Sequence, residues 1–130
     1  MIEDVVKFIL ENTTYTDASK MREVVMLHQL YGTSVTVRNE TNQVVGYCRW
    51  NISSDNETVF LLDIIVRKDF RRRGLLRTIA DLGFPTVWKS KYIVFERGYD
   101  DGKQVKTKKR YLISKLWRRI RNADAYPLAV

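Results

Sequence analysis

The stretch Ile64-Ile65-Val66-Arg67-Lys68-Asp69-Phe70-Arg71-Arg72-Arg73-Gly74-Leu75-Leu76 places an apolar strand, a basic glycine turn and a helix start within thirteen residues. Such a junction offers backbone N–H groups to a phosphate. The strand sets the position, Gly74 lets backbone approach a ligand closely, and the helix dipole contributes roughly half a positive charge at its N-terminus. Arg71, Arg72 and Arg73 add full charges at the same place. A solvated charge run is the structural alternative; the glycine and helix start that follow at once favour the phosphate.

Upstream of this junction, Thr58 to Val66 is a long, mostly apolar strand with one carboxylate, Asp63, inside it. Ser34 to Arg38 and Val44 to Ile52 alternate as two strands around the polar turn Glu40-Thr41-Asn42-Gln43. Before them, Ile2, Val5, Val6, Ile9 and Leu10 recur at helical spacing up to Asn12. A second helix starts after Thr16 and carries Met21, Val24, Val25, Leu27 and His28 until Gly32. Two helices therefore precede any strand. Downstream, residues 74–82 form a helix closed by Gly83 with Pro85 beyond, and Tyr92 to Glu96 is a strand. Gly98-Tyr99-Asp100-Asp101-Gly102 is a turn into a second strand near Gln104 to Leu112, followed by a basic helix from Ser114 to Arg121. The length is that of one domain, residues 1–130, with its motif segment at 60–83 and a basic hairpin and helix at 92–121.

The order of these elements and the quoted stretch resemble the GNAT-type N-acetyltransferase superfamily. Its acyl-CoA motif runs apolar-x-apolar, an acidic-aromatic pair, then Arg/Gln-x-x-Gly-x-Gly/Ala. Val66 ends the strand, Asp69-Phe70 is the pair, and Arg71-x-x-Gly74-x-Leu76 is the pyrophosphate loop. Leu76 departs from the motif, since the family carries a small residue there. The resemblance implies an α/β fold, a mixed central sheet flanked by helices, abbreviated at both ends. It implies acetyl-CoA as cofactor, contacted by Ile64, Ile65, Val66, Arg71, Arg72, Arg73, Gly74, Leu75 and Leu76. It also implies acetyl transfer to a primary amine, of a small molecule or a protein, in which much of the rate comes from positioning. Asp63 is the candidate general base, and Tyr99 and Tyr111 are the candidates for the acid that protonates the departing thiolate. The short length and reduced C-terminal part are similar to those of acetyltransferase-like proteins of phages.

Composition narrows the chemistry further. Cys48 is the only cysteine, which excludes an internal disulfide and a cysteine zinc site; its alternating strand context makes it core filler. His28 is the only histidine, so a Ser-His-Asp triad and a multi-histidine metal site are also excluded, and its apolar neighbours suggest a structural role. There is no run of some 18 apolar residues, and the acidic start Met1-Ile2-Glu3-Asp4 is unlike a signal peptide, so the expectation is a cytoplasmic protein without a membrane partner.

The net charge of +8 divides into −4 over residues 1–63 (five Lys/Arg, nine Asp/Glu) and +12 over 64–130 (eighteen and six). Such asymmetry points to an anionic partner for the second half, either the phosphates of coenzyme A or nucleic acid. Lys103, Lys106, Lys108, Lys109 and Arg110, with Tyr111 and Trp117, suit the second partner, with the 3′-phosphate of coenzyme A an equally good target. The alternative function is thus a non-catalytic module of the same fold that binds nucleic acid or an acidic protein. A homodimer through the last strand and helix is a third arrangement.

Overall fold

Ile2–Asn12 forms helix α1, and its apolar stripe buries Val5, Val6, Phe8 and Ile9. Glu3 and Asp4 in the first turn suit the positive end of the helix dipole. At the other end, Asn12 Nδ2 donates to the Phe8 carbonyl at 2.8 Å and Thr13 Oγ1 to the Ile9 carbonyl at 2.7 Å. The second bond reaches one of the last four carbonyls, which the helix leaves without partners, and helps to end it there. The computed structural model describes residues 1–71, 74, 77, 78, 89–95, 109–116 and 118.

Helix α2, Ala18–Tyr31, starts at Asp17, whose side chain accepts from the Lys20 amide, and stops at Gly32 in the left-handed region. Its buried residues are Met21 and Val25, whereas Leu27, on the same expected stripe, is exposed. The helix packs against α1 and the start of the sheet, and that narrow footprint covers only part of the stripe. A Cβ at Gly32 would meet nothing within 4 Å, so only backbone strain opposes a side chain at its φ of +68°. Gly32→Ala is therefore expected to destabilise by about 1 kcal/mol, read from urea denaturation midpoints.

Strands β1 (Ser34–Arg38), β2 (Val44–Ile52), β3 (Thr58–Val66), β4 (Tyr92–Phe95) and β5 (Lys109–Leu112) form one sheet in that order. The β3/β4 pair is parallel and the other three pairs are antiparallel. The first three strands have the bounds that the sequence predicts. Strand β4 is described as far as Phe95, the expected last residue Glu96 lying outside the described residues, and β5 covers the last four positions of the expected 104–112 strand. The turn at 98–102 and residues 104–108 lie outside the described residues. The expected 74–82 helix is described at 74, a bend, and at 77 and 78, which are helical, and the expected 114–121 helix at 114–116 and 118, all helical.

Two bulges decide which way side chains point. Arg38 faces Val44 while Val37 faces Gly46, so Val45 is an extra residue in β2. Arg49 faces Asp63 while Trp50 faces Leu61, so Leu62 is an extra residue in β3. An extra residue reverses the alternation beyond it. One face buries Val37, Val45, Cys48, Trp50, Val59, Leu61, Ile93 and Ile113 together. The other packs Val44, Tyr47 and Ile65 against Val5, Val6, Phe8 and Ile9 of α1 and Met21 and Val25 of α2. Without the bulge at Leu62, Asp63 would share the face of Leu61. With it, Asp63 shares the helix face of Ile65.

Candidate functional site

Strand β3 pairs with β2 as far as Val66, but the described pairing with β4 covers only Thr58–Leu61. Beside the remaining half of β3 lies a cleft of about 500 Å³, lined by Asn12, Thr13, Thr14 and Tyr15 from the α1–α2 loop, by residues 63–66, and by Arg71. The polar backbone of an extended strand on such a cleft wall is available to the amides of a ligand. Ile64 is 38% exposed, consistent with an open wall.

The chain leaves β3 through a 3-10 turn, Lys68–Phe70. Arg67 pairs with Asp69 at 2.7 Å, its guanidinium lies 4.9 Å from the centre of the Phe70 ring, and Phe70 packs against the Trp50 core. The acidic-aromatic pair thus anchors the turn rather than facing the cleft. Arg71 Nε donates to the Val66 carbonyl at 3.2 Å, which ties the first arginine of the basic run to the strand end. Gly74 has a φ of +74°, and its carbonyl accepts from the Thr78 amide at 3.1 Å. A glycine in the left-handed region therefore opens a helical turn, the conformation that a backbone phosphate cradle requires.

Asp63 stands in the cleft wall with both carboxylate oxygens engaged. The Tyr15 hydroxyl donates to Oδ1 at 2.9 Å, and Arg49 Nε donates to Oδ2. The Asp63 and Arg49 side chains are only 10% and 14% exposed, so this is an ion pair largely removed from water. Arg49 Nη1 lies 3.5 Å from His28 Nε2, and His28 Nδ1 lies 2.7 Å from Thr33 Oγ1. Burial, followed by the Asp63 charge, raises the Tyr15 pKa above its ordinary value. Burial also lowers the His28 pKa, and the Arg49 charge adds to this. For Arg49, burial opposes the charged form, but Asp63 more than offsets it and the pKa is raised.

Of the residues singled out from sequence, Asp63, Ile64, Ile65, Val66 and Arg71 line one cleft. Arg72, Arg73, Leu75, Leu76 and Tyr99 lie outside the described residues. Tyr111 is on β5, opposite Ile93, packs against the Trp50 core, and is not among the residues that line the cleft. Cys48 is fully buried and burial pushes its thiol pKa up, so it is core filler as its strand context implied. Tyr15, Arg49 and His28 were not singled out as site residues. Arg49 carried a signal, a charge inside an otherwise apolar alternating strand; Tyr15, in a polar loop, carried none.

A scan against family models matches the Acetyltransferase (GNAT) family over residues 3–83. The chain belongs to the GNAT acetyltransferase family. No curated protein sequence matches it. Solved structures with the same fold include diaminobutyrate acetyltransferase from Paenibacillus lautus in complex with L-2,4-diaminobutyric acid and coenzyme A, with 15% identity and a TM-score of 0.58 over 73% of this chain and 58% of that one. A GNAT family N-acetyltransferase from Escherichia coli in complex with CoA has 13% identity and a TM-score of 0.51 over 73% and 56%. Glucosamine-6-phosphate N-acetyltransferase from Arabidopsis thaliana has 12% identity and a TM-score of 0.52 over 84% and 92%. The chain therefore spans less than two thirds of the two bacterial enzymes and most of the plant one. Among the described residues, no helix is long and apolar enough to cross a membrane.

Proposed function

We propose that the chain is an acetyl-CoA-dependent N-acetyltransferase acting on a primary amine, of a small molecule or of a protein. The observation that carries this reading is the half of β3 without a described β4 partner, open to a cleft that also holds Asp63. The site fits the cofactor: an extended backbone edge suits the amide-bearing arm, and Arg71 with the positive-φ Gly74 turn suits the diphosphate. Family relatives solved with coenzyme A support the same assignment.

The cofactor supplies an acetyl thioester, whose C–S bond breaks as the amine nitrogen forms the new C–N bond, the thiolate taking up a proton. The chain's own residues orient the amine and manage its proton. An incoming ammonium meets Asp63, whose carboxylate holds it by charge and then accepts its proton, directly or through a water. Tyr15 and Arg49 hold that carboxylate at the cleft wall. The loop residues Asn12 to Thr14 close the opposite side, so the amine is confined near the strand.

Calorimetric titration with acetyl-CoA tests the reading. Micromolar binding to the wild type is expected, weakened by about tenfold or more in Gly74→Glu, which places a side chain and a negative charge where the diphosphate would approach. Wild type that does not bind acetyl-CoA sinks it.

A second reading, a non-catalytic module for nucleic acid, is favoured by one observation. The Tyr92 ring carries the Arg110 guanidinium 3.9 Å and the Lys91 ammonium 5.3 Å from its centre, with Lys89, Lys115 and Arg118 exposed in the same half of the chain. An aromatic ring flanked by cations is a platform for a base and its phosphate. Under this reading a salt-dependent gel shift with single-stranded DNA survives Gly74→Glu and is lost when Lys91 and Arg110 are neutralised.

A further inference from the structure

Arg49 and His28 do not line the cleft, yet both are tied to the carboxylate that does. We propose that Arg49 is a positioning residue that fixes Asp63 toward the cleft, and that His28, as a neutral acceptor, fixes Arg49 in turn. This rests on the acetyltransferase reading.

The hydrogen-bond inventory sets the direction of each link. Guanidinium has only donors. His28 Nε2, 3.5 Å from Arg49 Nη1, must therefore present its lone pair, and the ring proton sits on Nδ1, which donates to Thr33 Oγ1 at 2.7 Å. The Thr33 hydroxyl is in turn 3.5 Å from the His28 carbonyl, so the end of α2 holds the ring in this tautomer. From the other side, Arg49 Nε and the Tyr15 hydroxyl each take one oxygen of Asp63. Two segments far apart in the chain, the α1–α2 loop and β2, therefore converge on one carboxylate of β3, and the end of α2 reaches it through Arg49. A carboxylate held by two donors from separate elements has lost its rotational freedom before a substrate arrives.

Protonation of His28 would break the chain of links at one point. Nε2 would change from acceptor to donor and set a second cation against Arg49. Among the described residues, the charged and titratable groups around the imidazole are Arg49 from β2 and Asp63 from β3, with Tyr15 beyond them on Asp63; Thr33 and the Trp50 backbone are its neutral partners. Burial and Arg49 keep His28 neutral to lower pH than usual, so the relay is in its accepting form at neutral pH and is lost in acid.

His28 is the only histidine, so its imidazole NMR signals titrate without overlap from another ring. Asp63→Asn is expected to lower the His28 midpoint by removing an anion, and Arg49→Gln to raise it by removing a cation. Midpoints that stay at the wild-type value in both variants overturn the linkage. In amine acetylation, His28→Leu is expected to lower kcat by about tenfold or more while the KM for acetyl-CoA holds. His28→Gln, which keeps an acceptor but cannot titrate, should recover most of that loss and abolish the His28 limb of the pH profile. Equal losses in the two variants, or a limb at the NMR midpoint of His28 that persists in His28→Gln, would overturn the positioning role. A wild type that acetylates no amine overturns the acetyltransferase reading instead, and the NMR titration still decides the linkage.

Discussion

Replacing Asp63 by asparagine is expected to lower kcat for amine acetylation by about 10²- to 10⁴-fold, the usual contribution of a positioned acid or base. Asparagine keeps the shape and can still accept from Tyr15, but it carries no charge to hold an ammonium and takes no proton. Acetyl-CoA affinity should be unchanged, because the proposed backbone and diphosphate contacts do not involve this side chain. The same substitution leaves Arg49 largely buried without its anion, and breaking such a pair costs about 3–5 kcal/mol. The retained amide places Asp63→Asn toward the lower end. Kinetics and urea denaturation on one preparation separate the two effects. Asp63→Glu provides the control, since it keeps the charge that pairs with Arg49 and displaces the carboxylate by one methylene. A folded Asp63→Asn protein that loses less than tenfold in kcat would remove Asp63 from the role of base.

Trp50→Ala is the substitution expected to cost most in stability, about 3–5 kcal/mol. Trp50 is 1% exposed and sits among Val37, Val45, Cys48, Val59, Leu61 and Ile93 on the face opposite α1 and α2. Against a usual total of about 5–15 kcal/mol, that loss is enough to unfold much of a weakly stable domain. Trp50 also pairs with Leu61, next to the bulge at Leu62, so it holds the register that turns Asp63 to the other face. Activity per folded molecule should therefore fall as well, and Trp50→Phe should recover much of both. Urea denaturation followed by fluorescence, with circular dichroism as a second probe, measures the first effect. A loss under about 1 kcal/mol would contradict the packing described.

Much of the fold is legible from local pattern. Alternation places β1 and β2 and a long apolar run places β3 at their observed bounds, and helical spacing after Thr16 and up to Gly32 delimits α2. The family follows from one continuous stretch, because a phosphate turn is built from neighbours in the chain. Asp63 is visible as the lone carboxylate of an apolar strand. What surrounds it is not, since Tyr15 lies 48 residues away in sequence, Arg49 14, and His28 21 from Arg49. No local period reports such contacts.

Tyr111 shows the same limit from the other side. Its place in a strand is predictable, but which face of β5 meets the core depends on pairing with β4 and on the helical turn at 113–116 behind it. The sequence by itself determined the order of the described elements, the family and the glycine turn after β3, all properties of residues close together in the chain. Only the tertiary structure decided the bulge at Leu62 and the meeting of Tyr15 and Arg49 on Asp63, with His28 behind Arg49. Those depend on register and packing between distant segments, where shifting one residue sends a side chain to the opposite face of the sheet.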